Sequence, residues 1–281
     1  FEMHRYLSSS DDSGRQVRLP EGHSSYSRLC RRSSEPVWGT QSHSFPYQAG
    51  SNHEFFMKAM ILAAGYGKRL RPLTNRIPKP LILVGGKPLI EFHLEKLSAA
   101  GFKEIVINLG HLGTKIPESL GDGSRWNVSI RYSDEGPDPL ETGGGLVKAL
   151  PLLGVETFLV VNGDVWCDLD FTTLPAGLPD GDLAMLYLAP KPKWREKGDF
   201  SLVENRVREV DCPTLLYSGI ALYHPSLLDG ARVERFSIVP RLRKAIADDQ
   251  VGGRIHLGKW DDVGTPERLQ ALQASLPSRV G

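Results

Sequence analysis

The chain has 281 residues, of which 24% are charged and 40% hydrophobic, and its formal net charge is +1. This is the composition of an ordinary globular protein, and the small net charge gives no electrostatic reason to expect a nucleic acid or an anionic membrane surface as partner. Its three cysteines are too widely spaced for a disulfide framework or a metal cluster, and no apolar run reaches the roughly twenty residues of a membrane span.

Residues 1–56 differ in composition from the rest of the chain. They are rich in Ser, Arg and His, contain no lysine, and show no apolar periodicity. Such a segment buries too little apolar surface to offset the entropy of ordering, so we predict a disordered tail, either added or an upstream extension, with Met57 as the natural start. A transit peptide is the alternative, but scattered acids argue against it. The domain is expected at residues 57–281.

The first half of this domain alternates buried apolar runs with amphipathic segments. Strands are predicted at residues 59–64, 81–84, 104–108, 128–133 and 157–162, and helices at residues 89–100, 112–120 and 142–150. The helix at 89–100 places its apolar residues on one face and ends before Gly101, where a helix commonly stops.

The second half is more mixed. Strands are predicted at residues 183–189, 215–223 and 254–260, a hairpin at 200–205 and 207–210 around Asn205-Arg206, and a helix at 237–248. A last helix is predicted at 266–275, with Thr265 as its N-cap and Pro266 in its first turn.

This alternation predicts an α/β fold, with a doubly wound, mostly parallel sheet, helices on both faces and a small β-rich part in the second half. Ligands of such sheets bind beyond the carboxyl ends of the strands. The loop at Gly65, Asn108 and Asp164 each directly follow a predicted strand. We therefore expect these three features to meet at one edge of the sheet.

The loop after the first strand has the residues of a phosphate-binding site. Gly65 and Gly67 let the backbone turn sharply and expose its N–H groups, while Arg69 and Lys79 bring positive charge. Neither common nucleotide loop fits. The Rossmann fingerprint needs a glycine where this chain has Leu70, and the P-loop needs Ser or Thr after its lysine, where this chain has Arg69.

The whole string Gly-x-Gly-x-Arg-x-x-Pro-x-Thr at residues 65–74, followed by Pro-Lys-Pro at 78–80, resembles the signature of the sugar-phosphate nucleotidyltransferases. The resemblance implies a Rossmann-like fold and transfer of a nucleotidyl group to a sugar 1-phosphate. It also implies that Arg69 grips the β- and γ-phosphates and that Lys79, held rigidly between two prolines, binds a phosphate. The implied nucleotide-binding residues are Ala63, Ala64, Gly65, Gly67, Lys68, Arg69, Lys79, Gly143 and Gly144.

Two aspartates are the candidate magnesium ligands. From the residues alone, the role of Asp164 is undecided: it is either a metal ligand or an aspartate that caps a turn or a helix. The family has a metal-binding aspartate at this place, and its Trp-x-Asp-Val-Gly-Thr motif makes Asp262 the second ligand, with Asp261 as the competing choice. The resemblance therefore implies Mg²⁺ as cofactor. The implied catalytic residues are Arg69, Lys79 and Asp164.

Three consecutive glycines at 143–145 lie at the start of the helix predicted at 142–150. They are expected to present free N–H groups at its positive end or a flat backbone to a nucleotide base, with a flexible turn as the alternative. The family reads its base here, according to the resemblance. The residues that the resemblance implies for the sugar phosphate are Asn108, Glu141, Asn162, Asp199, Ser218 and Gly219.

Segments 141–145, 162–166, 198–200 and 217–220 narrow the resemblance to the bacterial uridylyltransferases that act on N-acetylmuramate α-1-phosphate in cell-wall recycling. The resemblance implies an enzyme that uses UTP. The widely spaced cysteines agree with a cytoplasmic protein, and the sequence leaves a monomer and a small homo-oligomer both open. The alternatives are mannose-1-phosphate with GTP, glucose-1-phosphate with UTP or dTTP, and a choline phosphate with CTP. A nucleotide-sensing scaffold subunit is a non-enzyme alternative, disfavoured because the signature arginine, lysine and both aspartates are present.

His93 and His111 are predicted to be structural or solvent-exposed.

Overall fold

The computed structural model describes residues 57–192 and 195–276. The predicted disorder of residues 1–56 lies outside the described residues. The strands are β1 (Ala59–Leu62), β2 (Leu83–Val84), β3 (Lys87–Pro88), β4 (Glu104–Leu109), β5 (Ser129–Asp134), β6 (Phe158–Asn162), β7 (Val165–Cys167), β8 (Ala184–Pro190), β9 (Ser201–Val203), β10 (Arg206–Arg208), β11 (Leu215–Tyr223), β12 (Val251–Ile255) and β13 (Trp260–Asp262). The α-helices are α1 (Leu89–Ala99), α2 (Lys115–Leu120), α3 (Glu141–Leu153), α4 (Val239–Ala247) and α5 (Pro266–Ser275).

Nine strands form one large sheet in the order β5-β4-β1-β6-β11-β8-β12-β10-β9. Strands β5, β4, β1 and β6 are parallel to one another, and β8 is parallel to β12. Strand β11 runs antiparallel to both β6 and β8, and β10 runs antiparallel to β12 and β9. The predicted doubly wound α/β class is confirmed, and the β-rich second half continues the same sheet.

The central strands are buried on both faces, as their continuous apolar runs predict. Ala59 and Ile61 of β1 pack on one side with α1 and α2, whereas Met60 packs on the other side with α3 and α4. A third, smaller cluster joins the glycine loop to α5 through Leu70, Val263 and Leu272. Helices therefore cover both faces of the sheet, as expected.

Local sequence signals explain where two helices begin and end. Gly101 has a φ of 91°, and the amide of Phe102 donates to the carbonyl of Leu97 at 3.0 Å, which closes the last turn of α1. At α5, the Thr265 hydroxyl accepts a hydrogen bond from the Arg268 amide at 3.4 Å, with Pro266 in the first turn.

The strand predicted at residues 254–260 is wrong. Strand β12 begins earlier, at Val251, because Gly253 allows a close approach: a Cβ there would lie 2.5 Å from Leu202 and 2.9 Å from Val207 of the β9–β10 hairpin. The chain then leaves the sheet and forms β13, which pairs antiparallel with β7. In the sequence alone, Gly252 and Gly253 indicate the interruption of a strand and not its interior.

Two further boundaries differ from the prediction. The hairpin between β9 and β10 turns at Glu204 and Asn205, whose φ angles are 50° and 61°, one residue earlier than expected. Helix α3 begins at Glu141, one residue earlier than predicted, and continues to Leu153, three residues further; the glycines at 143–145 are inside it, as the predicted bounds imply.

Candidate active site

The glycine loop after β1 presents backbone donors to the solvent. Within the described residues, the amide groups of Gly65, Tyr66 and Gly67 donate to no acceptor. Gly65 is exposed, and no atom of the described part of the chain lies within 4 Å of a Cβ placed there. Gly67 has a φ of 61°, and its carbonyl accepts a hydrogen bond from the buried Thr74 hydroxyl at 3.0 Å. The loop is therefore held from below and open above, as a phosphate cradle requires.

The cations that follow the loop point in different directions. Lys68 is exposed, with its ammonium 5.2 Å from the centre of the Tyr66 ring. The Arg69 side chain lies beside a segment from the C-terminal part of the sequence. A Cβ on Gly264 would lie 2.5 Å from Arg69 Nη2 and 3.2 Å from Asp262 Oδ1. The glycine in Asp-Val-Gly-Thr thus admits the signature arginine beside the second aspartate.

Lys79 and Asp164 form the central contact of the site. The Lys79 ammonium lies 2.6 Å from Asp164 Oδ2, although the two residues are 85 positions apart. Lys79 lies in a short 3₁₀ turn after Pro78 and is only 8% exposed. Burial by itself would raise the pKa of Asp164, but the charge of Lys79 and its hydrogen bond lower that pKa below its ordinary value. Asp164 is therefore a carboxylate at neutral pH.

The pairing of β7 with β13 brings Asp262 to the same place. Asp262 is opposite Val165 in the register, and the Val263 amide donates to the Asp164 carbonyl at 2.8 Å. The Asp262 carboxylate forms an ion pair with Arg268 of α5. Asp261, the competing choice, is opposite Trp166, and burial raises the pKa of its carboxyl, an effect that Arg268 opposes.

The two aspartates fit a hard divalent cation. Carboxylate oxygens are the ligands that Mg²⁺ prefers, and it commonly takes one or two carboxylates with water and phosphate oxygens in its other positions. Among the described residues, no group of three or more His, Cys, Asp or Glu side chains could hold a metal ion. Asp164 and Asp262, which the pairing of β7 with β13 brings together, would supply the two carboxylates of such a donor set.

Asn108 lies at the expected edge of the sheet, but its side chain is buried and engaged within the protein. Its Oδ1 accepts from the Ala63 amide and its Nδ2 donates to Glu135 Oε1, both at 2.6 Å. Asn108 is 3% exposed. The structure thus connects Asn108 to the glycine loop rather than to the space in front of it.

The expectation of free N–H groups at Gly143 and Gly144 is wrong. Both amides donate to the carbonyl of Phe236, at 3.0 and 3.3 Å. Both glycines are buried, because a Cβ on Gly143 would overlap the Phe236 ring and one on Gly144 would overlap the Glu234 carbonyl. These glycines serve close packing of α3 against the segment before α4, and the flexible-turn alternative is wrong as well.

Glu141 stands at the start of α3 with a strained backbone. Its φ is 61°, a conformation that residues other than glycine rarely adopt. Its carboxylate accepts from Arg235 Nε at 3.0 Å, and the side chain is partly exposed. The Glu141 carboxylate is thus held at the start of α3 by its ion pair with Arg235.

Asn162, Ser218 and Gly219 meet where β6 and β11 pair. Strand β11 has a bulge between Tyr217 and Ile220, and Gly219 within it has a φ of 82°. A Cβ on Gly219 would lie 2.8 Å from Asn162 Nδ2. The Ser218 side chain is buried, with Oγ accepting from the Ile220 amide at 3.3 Å. Of these three, Asn162 is the partly exposed side chain at the strand end.

Asp199 is buried and positions an arginine. Its Oδ2 accepts from the Tyr217 amide at 3.0 Å, and its Oδ1 pairs with Arg195 Nη2 at 3.3 Å. Arg195 also lies close enough to Arg268 for its charge to lower the Arg268 pKa, after the larger effects of burial and of Asp261 and Arg69. Asp199 thus fixes Arg195, whose charge acts on the first turn of α5.

The sequence interpretation missed Glu135, Arg195 and Arg268. Glu135 directly follows β5, so the strand-end rule that selected Asn108 and Asp164 would also have selected it. Arg268 lies in the first turn of α5, where no periodicity distinguishes it from an exposed helical arginine. Arg195 precedes Asp199 by four residues, and only the fold shows that the two side chains pair.

A sequence profile of the nucleotidyl transferase family matches residues 58–204. An N-acetylmuramate alpha-1-phosphate uridylyltransferase of Neisseria meningitidis serogroup B is 49% identical over 225 residues, covering 78% of this chain and 97% of the relative. The protein of the same description from Caulobacter vibrioides is 33% identical over 232 residues, covering 78% and 96%.

A Bacillus anthracis crystal structure, assigned as a glucose-1-phosphate thymidylyltransferase and solved with sucrose, has a TM-score of 0.68 at 22% identity and covers 80% of this chain and 96% of its own. At that identity the likeness supports the fold alone. None of the helices in residues 57–192 and 195–276 has the length and apolarity that crossing a membrane requires.

Proposed function

The chain belongs to the nucleotidyltransferase family, and from that premise we propose that it transfers the uridylyl group of UTP to N-acetylmuramate α-1-phosphate and releases pyrophosphate. The observation that carries the chemistry is the Lys79–Asp164 contact of 2.6 Å, which joins the signature lysine to the first aspartate beside open backbone amides. The two relatives above, both described as uridylyltransferases for this sugar phosphate, support the substrate pair. The proposal includes the cytoplasm as the compartment of the reaction.

The proposed reaction is an in-line displacement at the α-phosphorus of UTP. A phosphate oxygen of the sugar phosphate forms the new P–O bond, while the bond to pyrophosphate breaks and pyrophosphate leaves with the electron pair. A phosphate monoester has a second pKa of about 6, so the nucleophile is mostly a dianion at neutral pH. The reaction therefore needs no general base, and the protein contributes position and charge.

Each residue of the site has a part in this scheme. The amides of the glycine loop and Arg69 would hold the β- and γ-phosphates, which become the leaving group. Lys79 would meet the phosphate charge at the reacting centre. Asp164 and Asp262 would hold Mg²⁺, which when bound supplies positive charge to phosphate oxygens in the transition state. Asn162 and Arg195 are the proposed contacts for the sugar phosphate.

A substrate panel tests the proposal. Pyrophosphate release is measured with the full chain, four nucleoside triphosphates and four acceptors: N-acetylmuramate 1-phosphate, glucose 1-phosphate, mannose 1-phosphate and phosphocholine. We expect the highest kcat/KM for UTP with N-acetylmuramate 1-phosphate. A higher value for another pair would contradict the proposed substrate and keep the mechanism.

Two controls separate the metal site from the fold. Chelation with EDTA is expected to abolish release, and added Mg²⁺ to restore it. Asp164→Asn is expected to lower kcat at least about 100-fold, as loss of an electrostatic stabiliser does. Asp180→Asn, at an exposed position, is the matched control and should retain turnover. Turnover unaffected by both chelation and Asp164→Asn would contradict the two-aspartate site.

A further inference from the structure

A buried chain of side-chain hydrogen bonds joins the glycine loop to the segment before α3. The Ala63 amide donates to Asn108 Oδ1, and Asn108 Nδ2 donates to Glu135 Oε1. The other carboxylate oxygen, Oε2, accepts from the Leu140 amide. All three distances are 2.6 Å. Two loops that are far apart in sequence are thus held together by two side chains.

The direction of every bond in this chain is determined. Both ends are backbone N–H groups, which can only donate, so the Asn108 oxygen must face Ala63 and its amide nitrogen must face Glu135. Glu135 receives two donors and must supply two acceptors, which a carboxylate does and an amide cannot. Glu135 is 7% and Asn108 3% exposed, so water does not replace a missing partner. Burial raises the pKa of Glu135, and the bonds from Leu140 and Asn108 oppose that rise.

The third glycine of the glycine-rich helix makes room for this carboxylate. A Cβ on Gly145 would overlap Glu135 Oε1 and would lie 3.2 Å from Asn108 Nδ2. The carbonyl of Leu140 accepts from the Phe236 amide at 3.1 Å, so the connection continues to the segment that covers α3. A second link runs on the outside, where the Tyr66 hydroxyl lies 3.1 Å from Asp138 Oδ1.

We propose that Glu135 is a positioning residue that acts through Asn108 to set the distance between the glycine loop and residues 135–141, and thereby determines the affinity for the nucleoside triphosphate. The inference rests on the proposed function, in which the triphosphate lies against the glycine loop. It assigns Asn108 to this connection instead of the sugar. In the proposed scheme Asn162 and Arg195 contact the sugar phosphate, and neither takes part in this connection, so we expect the KM for the sugar phosphate to be independent of Glu135.

The donor-to-acceptor direction of these three hydrogen bonds allows a specific test. In Glu135→Gln, one of the two donors faces the new amide group, so one loop is released. In Asn108→Asp, two carboxylate oxygens face each other. The double variant N108D/E135Q reverses the middle bond and satisfies all three. Its new carboxylate accepts from the Ala63 amide and from the new side-chain amide, whose oxygen accepts from Leu140. The total charge equals that of the wild type.

The expected result is a rise of the KM for the triphosphate by about tenfold in each single variant, with kcat and the KM for the sugar phosphate changed less than about threefold. The double variant is expected to return to within about threefold of the wild type. Glu118→Gln, at an exposed position of α2, is the control and should be unchanged. Equal effects of the single variants on both substrates, or a double variant no better than the worse single, would overturn the proposal.

Hydrogen exchange separates this inference from the proposed function. Peptides containing the amides of Ala63 and Leu140 should exchange faster in each single variant and at the wild-type rate in the double variant. If the wild type turns over no nucleotide, the proposed function fails while the exchange data still decide whether the connection holds the loops. Unchanged exchange in both single variants would refute the connection itself.

Discussion

His93 predicts a loss of stability in mildly acidic solution. It lies on the buried face of α1, and within residues 57–192 and 195–276 neither ring nitrogen has a hydrogen bond of ordinary geometry; the Val165 backbone offers only a weaker contact. Burial lowers the pKa of His93 to about 4, and the charge of Lys96 acts in the same direction. The backbone of Val165 and the carboxylate of Asp164 oppose this without reversing it. The folded protein therefore keeps His93 neutral.

The sign follows from the proton balance. The unfolded chain binds a proton at His93 below about pH 6.5, whereas the folded protein binds one only near pH 4. Between these values the unfolded state holds more protons, so the free energy of unfolding falls as the pH falls. The difference of about 2.5 pKa units corresponds to about 3 kcal/mol, of which about 2 kcal/mol is lost by pH 5.

The assay compares urea unfolding of the wild type and His93→Leu at about pH 7.5 and about pH 5. Other titrating groups act equally on both proteins and cancel in the difference. We expect the stability of His93→Leu relative to the wild type to increase by about 2 kcal/mol between the two pH values, with unchanged m-values. A difference that stays constant within about 0.5 kcal/mol would refute the reasoning, because His93 would then titrate alike in both states.

Lys79→Met is expected to lower kcat/KM for transfer at least about 100-fold, measured by pyrophosphate release, because Asp164 loses its paired cation and the reacting phosphate of the proposed scheme loses a positive charge. Gly144→Ala is expected to lower the free energy of unfolding by about 1–3 kcal/mol through overlap with a backbone carbonyl, whereas Gly177→Ala, with open space around it in the described residues, should not. Arg268→Gln removes the cation that pairs with the second aspartate. The Mg²⁺ affinity, measured by calorimetric titration, should therefore increase by about threefold or more. Unchanged Mg²⁺ affinity would exclude competition by Arg268.

The central elements of the fold could be predicted because their signals are local. Strand β11 and helix α5 have the predicted bounds, 215–223 and 266–275, since a continuous apolar run and a threonine–proline start identify them. The convergence of the glycine loop and Asp164 followed from the carboxyl-end rule for parallel sheets. Such rules need only the order of elements along the chain.

The errors concern features whose meaning depends on a distant neighbour. Glycines at 143–145 are compatible with an exposed phosphate loop and with a tightly packed helix, and only the position of Phe236 distinguishes the two. Asn108 has the strand-end position of a ligand contact, but its partner Glu135 lies in another strand connection. The predicted strand at 254–260 is likewise divided into β12 and β13 because β13 pairs with the distant strand β7.

The ion pairs of the two aspartates predict that metal and nucleotide bind together. Each acid has a cation of its own, Lys79 for Asp164 and Arg268 for Asp262, so two carboxylates can be adjacent without the repulsion that would neutralise one of them. A triphosphate attracts these same cations and thereby exposes carboxylate oxygens to Mg²⁺. We therefore expect UTP to increase the Mg²⁺ affinity more in the wild type than in Arg268→Gln, where one carboxylate is already released. Calorimetric Mg²⁺ titration with and without UTP measures this, and an equal increase in both proteins would show that the phosphates alone recruit the metal.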